Sequence, residues 1–399
     1  MNLRWFLSRS VRQATHLCRH VQKTANAQRD HLSPEAVEKV TAAIGAVRTA
    51  INTGAPNKTL REQMDILEKA AARWLKSYPN ASIRENVEVI LVAVSIALAI
   101  HAFFLKPFKI PTGSMQPTLF GITAEDLRGR PDVKIPTGLK RFFDYWINGN
   151  SYYHVVAESD GVFEYGSYQP PRMILPFFYK QRFKIGETWY TVWSSWDRLL
   201  DQGGVQARHV YHKGDDILKV KVFAGDHLFV DRMTYNFRRP QRGEILVFET
   251  RGITNPQTGL PAMPQDQFYI KRMVAMGGEQ VQIGNDRHLI INGRRLDHTT
   301  PHFENVYSFN PKEPPKPNHY SGHLNGYVAK QVTETPIAPL FPDESTVLTV
   351  RPNHYLVMGD NTLDSYDGRT WGDFSRTNVI GKSFFVYWPF SSRFGYAAR

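Results

Sequence analysis

The run VEVILVAVSIALAIHAFFL, residues 87–105, narrows the possible folds of this chain more than any other stretch. It holds one acid, Glu88, near its start and His101 near its end, and it is apolar on every face. About twenty apolar residues cross the hydrocarbon of a bilayer. A buried core helix has the same composition, but the run ends in Phe103, Phe104 and Lys106, which suit a membrane–water interface and favour a span. Lys69, Arg73, Lys76 and Arg84 precede it, against Lys106 and Lys109 beyond it. That bias places the N-terminus in the cytoplasm and everything after Lys106 outside. His101 reads either as a residue at the headgroup boundary or as an intramembrane proton carrier. A net charge of +12 suits anionic lipid or nucleic acid. Without zinc-finger spacing, an RNP-like motif or a Gly-rich phosphate loop, lipid is the expected partner and nucleic acid is not. The single cysteine, Cys18, rules out an internal disulfide and a multi-cysteine metal site. There is no HExxH, and neither a metal nor a cofactor is expected.

Residues 1–86 read as helical and basic. In SPEAVEKVTAAIGAVRTAI, Ser33 is an N-cap, Pro34 the first helical residue, and Glu35 suits the positive end of the helix dipole. In TLREQMDILEKAAARWLKSY, Thr59 and Glu62 have capping-box spacing. NTGAPN between the two runs is a turn, so a helical hairpin is expected. MNLRWFLSRSVRQ is too short of apolar residues for a cleavable leader and reads as a basic amphipathic helix lying on a membrane. From Phe108 the pattern turns to β: DHLFVDR, GEILVFE, QFYIKRMVAM, HLIING and HYLVMGD are short apolar or alternating runs bounded by turn residues. Asn292-Gly293 marks a hairpin. Two stretches interrupt the pattern. Residues 122–223 have strand-like pieces (RFKIGETWYTVW) and a helical one (SSWDRLLDQ), and residues 295–350 are rich in Pro and His. Both read as surface additions to a β-core.

KIPTGSMQPTLFG, residues 109–121, places Ser114 just past the apolar run, between Gly113 and Met115. The serine is either a nucleophile or part of a turn. It has no Gly-x-Ser-x-Gly elbow, and no histidine stands in a protease motif, so a base must come from elsewhere. A Ser-Lys arrangement needs a lysine held in apolar surroundings. An exposed lysine titrates near 10.4 and is protonated at neutral pH. Burial lowers that value. In QFYIKRMVAMGGEQV, Lys271 follows Phe268, Tyr269 and Ile270. Strand alternation puts Lys271 and Arg272 on opposite faces, and either could be the inward one. A second KIPTG, at 134–138, lacks the serine and reads as an echo.

IPTGSMQPTL after the apolar run, GDHLFVDR (225–232), YIKRMVAMGGE (269–279) and MGDNTLDSYDGRTWG (358–372) with VIGKSFFVYW behind it stand in that order. Together they resemble the bacterial type I signal peptidases, the Ser-Lys leader peptidases. The resemblance implies a mainly β, extracytoplasmic, signal-peptidase-like catalytic domain (106–121 and 224–399). It carries a large α+β insertion (122–223) and a second, Pro-rich insertion (295–350). Ahead of it come one transmembrane helix (87–105) and an N-terminal helical segment (1–86). It makes Ser114 the nucleophile, Lys271 the general base and Arg272 the solvated neighbour. Thr112 stands where the family has a serine whose hydroxyl binds the oxyanion beside the Ser114 N–H. Ser365 would orient the lysine, and Asp367 and Arg369 would form a supporting ion pair. Thr362, Leu363 and Asp364 depart from the family's Arg-Asp-Asn, and Gly368 from its serine. The implied substrates are signal-peptide-bearing preproteins cut after small residues of the Ala-x-Ala type. Such a peptide would add as a strand along 108–112 and 268–270, with Phe108, Ile110, Pro111, Met115, Leu119, Tyr269 and Ile270 lining its pockets. The implied place is the inner membrane, beside the secretion machinery. Two other readings share parts of this pattern: a LexA-type Ser-Lys self-cleaving repressor, and an inactive membrane scaffold whose insertion binds a partner.

Overall fold

The structure is a computed structural model that describes residues 8–76, 81–130, 132–176, 178–315 and 320–396. It divides into two compact units, residues 1–96 and 97–399.

Besides most of the long apolar helix described below, the first unit contains α1 (Arg9–Ala27), α2 (Pro34–Asn52) and α3 (Asn57–Trp74). Val11, Ala14, Cys18 and Val21 repeat at helical spacing and pack with Val40, Ile44, Val47, Leu60 and Leu67 in one core. The expected hairpin is therefore a three-helix group. The apolar face of α1 is spent on that core, which leaves residues 8–13 no apolar face for a membrane; residues 1–7 lie outside the described residues. Ser33 caps α2, accepting from Ala36 N at 3.2 Å. Thr59 does not cap α3: Pro56 is the N-cap, because its fixed φ starts the helix three residues earlier.

Helix α4 (Ala81–Ala99) continues through a π-helical turn, Ile100–Phe104. Residues Ile83–Phe104 make 22 residues of mean hydropathy 2.4 with none of the apolar window buried, and by length and composition this helix can cross a membrane. It starts earlier than residue 87, because Arg84 and Glu85 are tolerated in its first turns.

The second unit is mainly β. Its main sheet contains β1 (Leu105–Lys109), β2 (His227–Asp231), β3 (Ile245–Glu249), β4 (Phe268–Met276), β5 (His354–Met358), β6 (Phe374–Ser375) and β7 (Val379–Trp388). The order across the sheet is β1-β2-β7-β3-β4-β5-β6, all antiparallel. β1 and β4 are thus separated by three strands, yet the Phe108 and Phe268 rings are 5.4 Å apart and Lys106 Nζ lies 4.3 Å from the Phe268 ring. The sheet curls until its first strand meets its fifth. Register shifts in the β2–β7 pairing and the β4–β5 pairing supply the extra twist. The hairpin at Asn292-Gly293 forms with both residues at positive φ.

Between Thr123 and Phe223 the chain builds a separate three-stranded sheet, the RFKIGETWYTVW hairpin and a helix, α5 (Gly138–Asn148). Phe163, Phe183, Ile185, Leu199, Ile217 and Leu218 form their own core there. Residues 295–350 behave otherwise. Phe303, Val306, Tyr307, Ala338 and Phe341 are fully packed against Val274, Ile283 and Leu356. That stretch is no surface addition: its described residues after Arg295 hold only a helical turn, Gly326–Ala329, and a short strand, Leu348–Thr349, but they supply half of a hydrophobic core.

Candidate active site

Ser114 sits in a single 3-10 turn, Gly113–Met115, between extended Thr112 and extended Gln116. The loop folds back on itself, with Leu119 N donating to Met115 O at 2.9 Å. Where the loop returns, a Cβ on Gly121 would stand 2.1 Å from the Thr112 carbonyl, so only glycine fits. The segment after β5 clamps the serine: Asn361 N donates to Ser114 O at 3.0 Å and Asn361 Nδ2 to Gly113 O at 3.2 Å.

Lys271 lies on β4 opposite Leu246 of β3. The curl of the sheet carries its amine to the serine, with Nζ 2.8 Å from Ser114 Oγ and 3.0 Å from the Ile270 carbonyl. Lys271 is 5% exposed and Ser114 4%. The Tyr269 ring, 5.5 Å from Nζ, helps to wall it off. Burial pushes the Lys271 amine down to about 8, against the opposing pull of the Asp367, Asp360 and Asp364 carboxylates. A lysine in this state can act as a base near neutral pH.

The remaining expected residues divide. Asp367 and Arg369 form a fully buried ion pair at 2.8 Å. Burial by itself would raise the Asp367 carboxyl, but the Arg369 guanidinium, Gly359 N and the Ser365 hydroxyl hold it below the usual carboxylate range. Ser365 Oγ donates to Asp367 at 2.7 Å and makes no hydrogen bond to Lys271. Its single proton goes to the charged acceptor, and the Ile270 carbonyl orients the amine instead. Thr112 is exposed and its hydroxyl is uncommitted among the described residues. Phe108, Tyr269 and Ile270 are half-buried and Pro111 is exposed, all accessible to a peptide. Ile110, Met115 and Leu119 are not: they are closed into a core with Leu228, Val230 and Val247, so they shape the floor of the site from beneath.

Arg272 departs most from expectation. It is 1% exposed and not solvated, because β4 is covered on both faces from Lys271 to Ala275. Its Nε donates to Asp360 Oδ1 at 2.7 Å and its Nη2 to Asp360 Oδ2 at 2.6 Å and Thr118 Oγ1 at 3.1 Å. Thr118 belongs to the serine's own loop, so this buried network ties the serine loop, the lysine strand and the segment after β5 together. Sequence reasoning missed Arg272, Asp360 and Thr118. The signal was the Gly-Asp-Asn at 359–361, an acid directly after an apolar strand.

Residues 218–388 match the family model described as signal peptidase, peptidase S26. Several proteins similar to this chain are described as signal peptidase I. A probable signal peptidase I-2 of Synechocystis sp. is 27% identical over 164 residues, covering 41% of this chain and 56% of that protein. The signal peptidase I of Mycobacterium tuberculosis is 29% identical over 201 residues, covering 43% of this chain and 60% of that protein. The signal peptidase I of Leptolyngbya laminosa is 27% identical over 164 residues, with 41% and 61% covered. The chain thus spans less than two thirds of the length of these signal peptidase relatives. A solved signal peptidase I from Enterococcus faecalis aligns at 22% identity with a TM-score of 0.21, covering 36% of this chain and 97% of that one. The stretch matched by the signal peptidase model includes Lys271, Ser365, Asp367 and Arg369; Ser114 precedes it.

Proposed function

We propose that this chain is a membrane-anchored serine endopeptidase that removes signal peptides from exported preproteins after small residues. One observation carries the reading: a buried amine stands 2.8 Å from the hydroxyl of a serine set just beyond an apolar helix. Neutral Lys271 takes the Ser114 proton as Oγ attacks the scissile carbonyl. The C–N bond breaks as the ammonium returns that proton to the leaving amine, and an acyl-enzyme remains. Water, deprotonated by the same amine, then releases the acyl group. The Ser114 N–H and the uncommitted Thr112 hydroxyl receive the oxyanion.

Two free strand edges support the way a peptide would bind. Among the described residues, β1 is paired on one side only, with β2, and β4 is paired with β5 only from Arg272 onward, which leaves 268–271 open. An extended peptide adding to these edges would present alternate side chains to Phe108, Pro111, Tyr269 and Ile270. The Ile83–Phe104 helix would hold the site at the outer surface with the N-terminus in the cytoplasm, close to the secretion machinery.

The test is cleavage of an Ala-x-Ala preprotein in detergent by the wild type, Ser114→Ala and Lys271→Ala. Only the wild type should cut; equal activity in all three would end the assignment.

A further inference from the structure

Helix α5 (Gly138–Asn148) is turned inside out. Its polar face holds it to the domain. The Asp144 carboxylate accepts from Asn148 Nδ2 at 2.8 Å, Asn150 Nδ2 at 2.9 Å and the Tyr152 hydroxyl at 2.6 Å. Arg141 donates to the Tyr152 carbonyl. The opposite face consists of Leu139, Phe142, Phe143, Trp146 and Ile147, exposed by 76%, 55%, 54%, 56% and 45%. No residue of the helix is buried. A surface helix in water shows the reverse arrangement. Large contiguous apolar patches on a soluble surface mark a site of contact.

We infer that α5 is an interfacial helix that lays this face into the outer leaflet of the lipid bilayer, as a second membrane contact besides the Ile83–Phe104 helix. The inference rests on the proposed reading of that helix as a span. Three observations favour lipid over a protein partner. Lys140 on the helix and Lys134, four residues before it, are both exposed and could meet lipid phosphates. The patch also continues beyond α5. Trp388 Nε1 donates to Trp146 O and Phe390 N to Ile147 O, both at 2.8 Å, and Phe390 and Phe394 are exposed alongside. Finally, the bilayer is within reach. Trp388 pairs with His227, which pairs with Lys109 at the end of β1. β1 follows Phe104 directly, and five extended residues span at most about 18 Å. An active site gripped at a second point would have its height above the lipid fixed, where a span alone leaves it free to swing.

The test uses the full chain, with Cys18→Ala as background, reconstituted in vesicles of phosphatidylcholine and phosphatidylglycerol. An environment-sensitive label is placed at Phe143→Cys, at Glu187→Cys as a water-exposed site of the same insertion, and at Leu91→Cys in the apolar helix. Lipids carrying a doxyl quencher then read depth. The label at 143 should be blue-shifted and quenched at least about threefold more than the label at 187, as burial several ångströms into the headgroup region requires. Quenching at 143 no greater than at 187 overturns the inference. A blue-shifted but unquenched label at 143 also overturns it, because the face is then covered by protein. The label at 91 reports separately on the span: if it is unquenched, that reading fails, whereas the label at 143 alone decides the role of α5.

Discussion

At the scale of single residues, the proposed mechanism makes Lys271 set the pH response. With its amine pushed down to about 8, roughly a tenth is neutral at pH 7, against well under a thousandth for an ordinary lysine. The base must be neutral, so kcat/KM should rise with pH through about 8, level off above it, and fall about tenfold per unit below it. A pH–rate profile on a signal-peptide substrate measures this, and a flat profile from 6 to 9 would count against Lys271 as the base. Lys271→Arg should be inactive throughout, since guanidinium does not titrate in this range. Thr112→Val should lower kcat by about 100- to 1,000-fold through the lost oxyanion donor, while Thr112→Ser should keep most of it. Arg272 and Asp360 act on stability. Asp360→Ala leaves a guanidinium buried without its partner and should cost about 3–5 kcal/mol, read from denaturant unfolding.

Elements bring these residues together. Ser114 follows the first strand of the sheet and Lys271 lies on the fifth in the order across it, so their meeting depends on the curl. The segment after β5 is packed so closely on the serine loop that a Cβ on Gly359 would stand 2.1 Å from Ser365 Oγ and 2.5 Å from the Ser114 carbonyl. Gly359→Ala should displace that carbonyl and with it the Ser114 N–H. The expected result is a loss in kcat of about 100-fold or more with a smaller change in KM, since small misplacements at a reacting centre are costly. An unchanged kcat in a folded protein would show that the clamp does not position the serine. The strand runs themselves were legible, and DHLFVDR, GEILVFE, QFYIKRMVAM, HLIING and HYLVMGD all contain strands. Alternation failed at Arg272 because it assumes one wet face, and from Lys271 to Ala275 β4 has none.

At the scale of the whole molecule, the stretch between Thr123 and Phe223 stands out by its own pairing and packing. Its first and last residues are paired partners in one antiparallel ladder, and it has its own core. We propose that it is an insertion. Replacing 123–223 with a short turn should leave cleavage of a soluble peptide within about threefold, because closing so short a gap costs little chain entropy. Loss of that activity in a folded protein would show that the stretch serves the chemistry. Residues 295–350 should not tolerate removal, since Phe303, Tyr307 and Phe341 belong to the core behind β4 and β5. Their Pro-rich composition hid this, because aromatic residues scattered along an irregular chain carry no periodicity to read.

Local rules determined what depends on neighbours in the chain: the apolar helix, the Ser33 cap, the strand runs, the Asn-Gly hairpin, and a serine and a lysine each in a suitable setting. Tertiary structure alone decided that Ser114 and Lys271 are 2.8 Å apart, that Arg272 is buried against Asp360, that Ile110, Met115 and Leu119 are floor and not wall, and that α5 faces outward with its apolar side. Periodicity records which side of an element is apolar. What that side meets is settled by packing between segments far apart in the chain, and the sheet's curl, on which the site depends, arises only when the strands are assembled.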